Sequence, residues 1–151
     1  MTLIGQKLHA EGINFKETIL DENVHTVSEV AQCVGCNKNQ VLKAMLFIGE
    51  KISVLVITNG KKRIDKSLIE SFSNQKLHLA TPKEVKKITS YSVGSVSPFL
   101  INQDINILLM ADQSILENEE LYMGSGEQNT LLSMTSIEFK KAFKGKFISI
   151  N

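Results

Sequence analysis

The residue of this sequence with the clearest capacity for chemistry is Lys43, because it is the only charged residue in an apolar strand. It lies within residues 41–48, where every other side chain is apolar. A lysine at such a position must reach solvent, pair with an acid or line a cavity. In a cavity its ammonium group would bind a phosphate, a carboxylate or a carbonyl oxygen. The alternative is a structural lysine whose stem packs on the sheet while its head group reaches solvent, and the sequence favours neither.

A second candidate is the segment 91–100, YSVGSVSPFL, whose small residues predict a loop. Gly94 frees the backbone at one end, and Pro98 fixes φ at the other. Ser95 and Ser97 lie between them and leave room for a ligand to approach the backbone. A loop of this kind can turn several backbone N–H groups towards a phosphate or a carbonyl oxygen. The alternative is a tight connection without a ligand, and the loop alone favours it because Gly and Pro mark any turn.

Three further groups are weaker candidates. Asp112 follows the apolar run 105–111, and it would either line a site or cap the next turn. The Gly-Ser-Gly at 124–126 forms a second glycine loop, but it has too few glycines for a dinucleotide-binding motif. The basic cluster at 61–63 would bind phosphate if it met a second basic cluster beside the site; otherwise it is a solvated face.

The sequence contains no motif of a nucleophilic hydrolase, a zinc protease or a nucleotide-binding loop. Cys33 and Cys36 form a C-x-x-C, but no second ligand pair follows at a zinc spacing. Because Cys33 falls inside a predicted helix and Cys36 just beyond its end, we expect reduced thiols rather than a redox pair or a disulfide. We therefore expect no metal and no cofactor.

The composition is that of an ordinary globular domain. The chain has 151 residues, 42% of them hydrophobic and 22% charged, which predicts one domain over residues 1–151 with a substantial core. The net charge of +1 provides no overall attraction to nucleic acid or membrane, so any basic surface must be local. No apolar run approaches the ~20 residues of a membrane span, and the N-terminus does not resemble a signal peptide. We therefore expect a cytoplasmic protein.

Hydrophobic periodicity predicts an order that mixes hairpins with single helices. Apolar stripes and capping residues predict helices over residues 2–11, 27–34, 66–72, 81–89 and 136–143. Alternation and short apolar runs predict strands over residues 13–18, 41–48, 52–58, 76–80, 105–111, 121–123, 131–134 and 146–150. The second and third of these strands are expected to form an antiparallel hairpin in the middle of a sheet. This order favours an α+β fold with a mixed central sheet over a regular βαβ alternation.

The order of these features resembles the YbaK-like family, the freestanding relatives of the editing domain inserted in bacterial prolyl-tRNA synthetases. The resemblance covers nearly the whole chain and rests on QVLKAMLF at 40–47, TPKEV at 81–85, GSVSPF at 94–99 and GSG at 124–126. The strand lysine and the G-x-x-x-P loop are its specific parts, and together they are much stronger than either alone. The resemblance implies a curved, barrel-like central sheet flanked by helices.

The activity that the resemblance implies is hydrolysis of the ester in mischarged aminoacyl-tRNA, in trans and without a metal. It implies that Lys43 lies near the terminal adenosine and that Gly94 and Ser95 belong to the catalytic loop around the aminoacyl carbonyl. Water helped by a ribose hydroxyl would attack, so catalysis would rest on orientation and on backbone N–H groups. Substrate contacts are expected from Val96, Ser97, Pro98, Met110, Asp112, Gly124, Ser125 and Gly126, and tRNA contacts from Lys61, Lys62 and Arg63.

The amino acid that would be removed stays open among small ones such as Ala, Cys, Ser and Thr. Alanine-specific members that share the GSVSPF loop usually carry a His-Pro pair near the second loop, where this sequence has YMGSG at 122–126. That segment is closer to the glycine-rich form of the cysteine-type members. In those a basic residue follows the glycines, whereas Glu127 follows here.

Two rival functions remain beside the deacylase. The first is a module of the same fold that binds tRNA ends or nucleotides without turnover. The second is an interaction domain that docks on a synthetase. The expected partners are mischarged aminoacyl-tRNA and prolyl-tRNA synthetase, with no membrane, and the protein itself is expected to be a monomer or a weak homodimer.

Overall fold

The helices begin at Thr or Asp caps, as the sequence predicts. The computed structural model describes residues 1–21, 24, 26–100 and 106–150. Within these residues the helices are α1 (Leu3–Ala10), α2 (Val27–Val34), α3 (Lys66–Ser73), α4 (Pro82–Thr89) and α5 (Ser136–Ala142). In α2 and α4 a glutamate of the first turn bonds back to the cap, which completes a capping box. None of the described helices has the length and apolar character needed to cross a membrane.

The strands lie close to the positions that alternation predicts. They are β1 (Lys16–Ile19), β2 (Leu42–Gly49), β3 (Ser53–Asn59), β4 (Leu77–Leu79), β5 (Ile107–Asp112), β6 (Glu120–Gly124), β7 (Thr130–Thr135) and β8 (Lys146–Ile148). β1 starts later than the predicted strand at 13–18, because Ile13 packs into the core ahead of the residues that pair with β7. Ile105, the first residue of the strand predicted at 105–111, lies outside the described residues.

A five-stranded mixed sheet forms the centre of the molecule, in the order β4-β2-β3-β5-β8. β2 and β3 form the antiparallel hairpin predicted in its middle, with Leu42 opposite Asn59 and Phe47 opposite Val54. β5 runs parallel to β3, and β8 runs parallel to β5 at the edge. The confirmed class is therefore α+β with a mixed central sheet.

A second sheet replaces the single barrel-like sheet that the resemblance implies. It is antiparallel, in the order β1-β7-β6, and a bridge between Val41 and Tyr122 joins it to the first. Within the described residues neither sheet closes on itself, so the barrel-like form is not confirmed. Alternation along a sequence identifies strands but does not specify their partners, which is why the sequence did not separate the two sheets.

The largest apolar core lies between the two sheets and fixes the position of β2. Leu42 and Leu46 of β2 pack there with Leu121 and Met123 of β6 and with Phe139 of α5. The opposite face of the five-stranded sheet forms a smaller core, which α3 covers. β2 is thus held on both faces, and its first residues lie beside β6.

Candidate active site

A cavity of about 390 Å³ lies at the start of β2. Its walls are residues 41–45 of β2, residues 93–96 after α4, the end of β6, residues 127–131 before and in β7, and the first residues of α2. The cavity therefore collects segments from both sheets, one helix and two loops. Of the candidates named from the sequence, it brings together Lys43, Gly94, Ser95, Val96 and Gly124.

Lys43 lies where the edge of β2 is open. β4 pairs with β2 only from Phe47 to Gly49, so it does not reach the first half of β2. Lys43 is half-buried and lies opposite Thr58 of β3. The neighbouring residues Leu42 and Ala44 point to the face of β2 opposite to that of Lys43, and they line the cavity too. The cavity therefore extends around the open edge of β2. Among the described residues the Lys43 ammonium group has neither a hydrogen-bond nor a salt-bridge partner, which leaves it available to a ligand.

The loop after α4, residues 91–98, presents backbone donors beside the cavity. Gly94 has a φ of 92°, which lies in the left-handed region that favours glycine. The N–H and the hydroxyl of Ser95 both donate to the carbonyl oxygen of Ser92, at 3.0 and 2.9 Å. The N–H groups of Gly94 and Val96 donate to no acceptor in the part of the chain that the structure describes. The loop is thus held by Ser95, and two of its N–H groups have no acceptor among the described residues.

The second glycine loop, residues 124–126, packs directly on the first. The N–H of Gly126 donates to the carbonyl oxygen of Ser95 at 2.7 Å. At Gly124 a side chain does not fit, because a Cβ there would lie 2.6 Å from the carbonyl oxygen of Val96. Gly124 lines the cavity, whereas Ser125 and Gly126 lie behind it. The second loop therefore sets the position of the first.

Ser125 fixes the turn that follows the second loop. It is 1% exposed, and its hydroxyl donates to the carbonyl oxygen of Thr130 at 2.7 Å. The same hydroxyl accepts a hydrogen bond from the N–H of Glu127 at 3.2 Å, and the Glu127 carbonyl oxygen lies at the same distance from it. These bonds hold residues 127–130 along the wall of the cavity, and the Glu127 side chain is exposed at that wall.

Besides Ser125 and Gly126, four residues expected to contact substrate lie elsewhere than in the wall of this cavity. Ser97 and Pro98 are buried, and the Ser97 hydroxyl accepts a hydrogen bond from the N–H of Phe99, so this pair supports the loop from behind. Met110 is 2% exposed and packs in the core under α3, on the far face of the five-stranded sheet. Asp112 caps the 3₁₀ turn at 113–117. The assignment of Met110 and Asp112 to the substrate pocket is therefore corrected, because register and capping direct them away from it.

Asp112 is the partner of Lys62, one of the three residues expected to bind tRNA. The two form an ion pair of 2.8 Å, in which the carboxylate is 1% exposed and the lysine 29%. Burial alone would raise the pKa of Asp112, but hydrogen bonds from Lys62 and Ser114 outweigh it and hold that pKa below its ordinary value. Lys62 is therefore engaged within the protein, while Lys61 and Arg63 beside it are exposed.

The two cysteines lie as the sequence predicts, near the end of α2. Cys33 is exposed within the helix, Cys36 is half-buried beyond the Gly35 cap, and both are free thiols. Burial raises the pKa of the Cys36 thiol. Within the described residues no cluster of three His, Cys, Asp or Glu side chains is arranged to hold a metal ion.

Part of the cavity wall was not expected from the sequence. Thr26, Val27 and Val30 of α2 line it, although their pattern predicted only a cap and a core face. Glu127 and the following residues line it as well, although their sequence resembles an ordinary turn. The one feature of the sequence that set this turn apart from an ordinary turn is the acidic residue Glu127 directly after the Gly-Ser-Gly at 124–126.

Comparison with known proteins identifies the family. Residues 21–142 match the aminoacyl-tRNA editing domain family. This match covers most of the chain, and the chain belongs to that family. The resemblance deduced from the strand lysine and the glycine loop is thereby confirmed.

The curated relatives include both synthetases and a freestanding protein. The proline–tRNA ligases of Levilactobacillus brevis and Thermotoga neapolitana are 26% identical over 125 residues and 29% identical over 115 residues. These matches cover 82% and 76% of this chain but only 21% and 19% of the ligases, so the chain spans about a fifth of their length. The uncharacterized protein YwhH of Bacillus subtilis is 26% identical, with 77% of this chain and 73% of YwhH covered.

Solved structures share the fold over its full length. The hypothetical protein APE2540 superposes with a TM-score of 0.89 at 24% identity, with 97% of each chain covered. A candidate trans-editing enzyme for prolyl-tRNA synthetase superposes with a TM-score of 0.84 at 24% identity, with 100% of this chain and 98% of the other covered. At these identities the likeness establishes the fold.

Proposed function

We propose that this protein is a trans-acting deacylase that hydrolyses the ester of tRNA mischarged with a small amino acid. The observation that carries the proposal is the cavity whose wall contains both Lys43 and residues 93–96 of the Gly94 loop. Membership of the aminoacyl-tRNA editing domain family supports it. The proposal treats residues 1–151 as one editing domain that acts in the cytoplasm, as a monomer or weak homodimer, with prolyl-tRNA synthetase as a partner.

In the proposed reaction Lys43 binds the end of the tRNA. Lys43 is half-buried at an apolar strand edge, and its ammonium group has no partner among the described residues. A cation in such a place interacts more strongly with a phosphate or a carbonyl oxygen than it would in water, because the local dielectric is lower. Lys43 thus orients the terminal adenosine and its ester.

The glycine loop stabilises the oxyanion that forms when water attacks the ester. The N–H groups of Gly94 and Val96 supply hydrogen bonds to the carbonyl oxygen, and one such donor is typically worth about 100-fold or more in rate. Ser95 is a positioning residue, because its hydroxyl already donates to Ser92 within the loop. The attacking water is helped by a ribose hydroxyl of the substrate, so no protein nucleophile and no metal ion take part in the reaction.

The rest of the cavity suits a short side chain. Its wall includes the apolar side chains of Val27, Val30, Met123 and Leu131, which suit a small, weakly polar side chain. Alanine, cysteine, serine and threonine are therefore the proposed amino acids. For the body of the tRNA we retain Lys61 and Arg63 as contacts because both side chains are exposed. Lys62 is 29% exposed and holds the buried Asp112, so we assign it to the stability of the protein.

A deacylation panel tests this function. The protein is incubated with alanyl-, cysteinyl-, seryl- and threonyl-tRNA in the presence of a metal chelator, and release of free amino acid is measured against buffer alone. The proposal predicts accelerated release from at least one of the four. Binding of the tRNAs without release would favour the non-catalytic binding module, and capture of prolyl-tRNA synthetase without either result would favour the interaction domain.

A further inference from the structure

Among the described residues, the wall of the cavity carries one anionic side chain, that of Glu127. Lys43 and Glu127 are the two charged residues among those that line it in the described part of the chain. The Glu127 side chain is exposed, and its carboxylate has no hydrogen-bond or salt-bridge partner among the described residues. A carboxylate at the wall of a ligand cavity, fixed at its backbone and unpaired at its head, is suited to bind a cation.

We infer that Glu127 recognises the α-ammonium group of the aminoacyl ester, so that the enzyme distinguishes free aminoacyl esters from N-acylated ones. The inference deepens the proposed function and rests on it. An aminoacyl ester joined to a nucleotide has a positive charge at its amine and negative charge at its phosphates. A cavity with a carboxylate and an ammonium group in its wall has the complementary arrangement.

Three backbone acceptors in the cavity wall are already engaged within the protein. The carbonyl oxygens of Ser95, Asn129 and Thr130, all in the cavity wall, each accept a hydrogen bond from within the protein, at 2.6 to 2.7 Å. Glu127 carries the one anionic acceptor among the described residues of the wall, so it complements the charge of an ammonium group. A substrate whose nitrogen is acylated has no charge there and forgoes this interaction.

The position of Glu127 is held independently of any ligand. Its backbone N–H bonds to the hydroxyl of buried Ser125, and that hydroxyl also bonds Thr130. The carboxylate is thus carried by a fixed turn rather than by a free loop. Such fixing reduces the entropy that the site would lose on binding the substrate.

The test compares two esters in the wild type and in Glu127→Gln. The substrates are the tRNA preferred in the deacylation panel and the same aminoacyl-tRNA after acetylation of its α-amino group. Each rate is divided by the rate in buffer alone, because an α-ammonium group itself makes its ester more labile than an acetylated amine does. By this measure the wild type should favour the free amine form at least about tenfold, which is the effect expected of one charged hydrogen bond. Glu127→Gln should slow hydrolysis of the free amine form by about the same factor and bring the ratio of the two corrected rates close to one.

Glu119→Gln is the matched control, because Glu119 is an exposed acid at the other end of β6 and does not line the cavity. It should retain both wild-type rates, and circular dichroism should show all three proteins folded. If Glu127→Gln releases amino acid with the same ratio of the two rates as the wild type, the inference about Glu127 is wrong. The proposed deacylase function would be unaffected by that result. Failure of the wild type to release amino acid from either ester would refute the proposed function and this inference with it.

Discussion

Gly124 is the residue at which a single methyl group should displace the proposed oxyanion site. In Gly124→Ala the new Cβ would lie 2.6 Å from the carbonyl oxygen of Val96 and 3.0 Å from that of Ser95. Both contacts are with backbone, so no side-chain rotation can relieve them. To reach the 3.4 Å of an ordinary contact, the two loops must separate by about 0.8 Å from the 2.6 Å approach.

This displacement is large for catalysis and moderate for stability. Insertion of a methyl group into a packed site typically lowers the free energy of unfolding by about 1–3 kcal/mol. Misplacement of catalytic groups by roughly 1 Å can reduce a rate about 100-fold. We therefore expect Gly124→Ala to remain folded and to lose about two orders of magnitude in deacylation.

The assay is initial-rate deacylation of the preferred mischarged tRNA, with urea unfolding measured on the same preparations. Gly12→Ala is the matched control: Gly12 has a φ of 75°, and a Cβ there would meet nothing within 4 Å. Left-handed strain should cost it about 1–2 kcal/mol, with no change at the cavity. Wild-type turnover by Gly124→Ala, or an equal loss of turnover in Gly12→Ala, would refute the account of the two loops.

Three further predictions concern the loop, its support and the ion pair. Gly94→Ala should lower the deacylation rate by about tenfold or more, because a φ of 92° strains a residue other than glycine by about 1–2 kcal/mol. An unchanged rate in this variant would contradict the role of the Gly94 loop. Ser125→Ala should lower the rate less than Gly94→Ala does, since the lost hydroxyl bonds Thr130 and lies behind the cavity; a larger loss would contradict this. Lys62→Ala should lower the free energy of unfolding at pH 7 by about 2–4 kcal/mol, because Asp112 is then buried without its cation. The pKa of Asp112 is lower in the folded protein than its ordinary value of 3.8, so the ionised carboxylate stabilises the fold fully above that value. This contribution to the free energy of unfolding is lost as the pH falls through the pKa of the folded state. Urea unfolding of the wild type and of Asp112→Asn across this pH range should show the loss in the wild type only.

The features that the sequence predicted correctly are those that depend on near neighbours. The capping box of α4, for example, needs only Thr81 and the glutamate three residues later, and both bonds are present. The hairpin of β2 and β3 is likewise set by two apolar runs around one turn. Lys43 and Gly94 could be named as candidates because each departs from the pattern of its own segment.

The features that the sequence did not predict depend on distant partners. Asp112 was expected at the site, but its position is set by Lys62, which lies 50 residues away in the sequence. Met110 was expected there too, yet the register of β5 with β3 places it under α3. Glu127 was named from the sequence only as a departure from the cysteine-type members, because its place in the cavity wall depends on the pairing of β6 with β7.

The central claim is that Lys43 takes part in hydrolysis, and the rate of deacylation by Lys43→Ala tests it most directly. Removal of one electrostatic contact to the substrate typically costs about 100-fold or more in rate. Because Lys43 has no partner among the described residues, its loss leaves no buried acid unpaired, and the protein should remain folded. Lys51→Ala, in the exposed turn between β2 and β3, is the control and should keep the wild-type rate. A folded Lys43→Ala protein that releases amino acid about 100-fold more slowly than Lys51→Ala would support the account, and one that matches the wild type would contradict it.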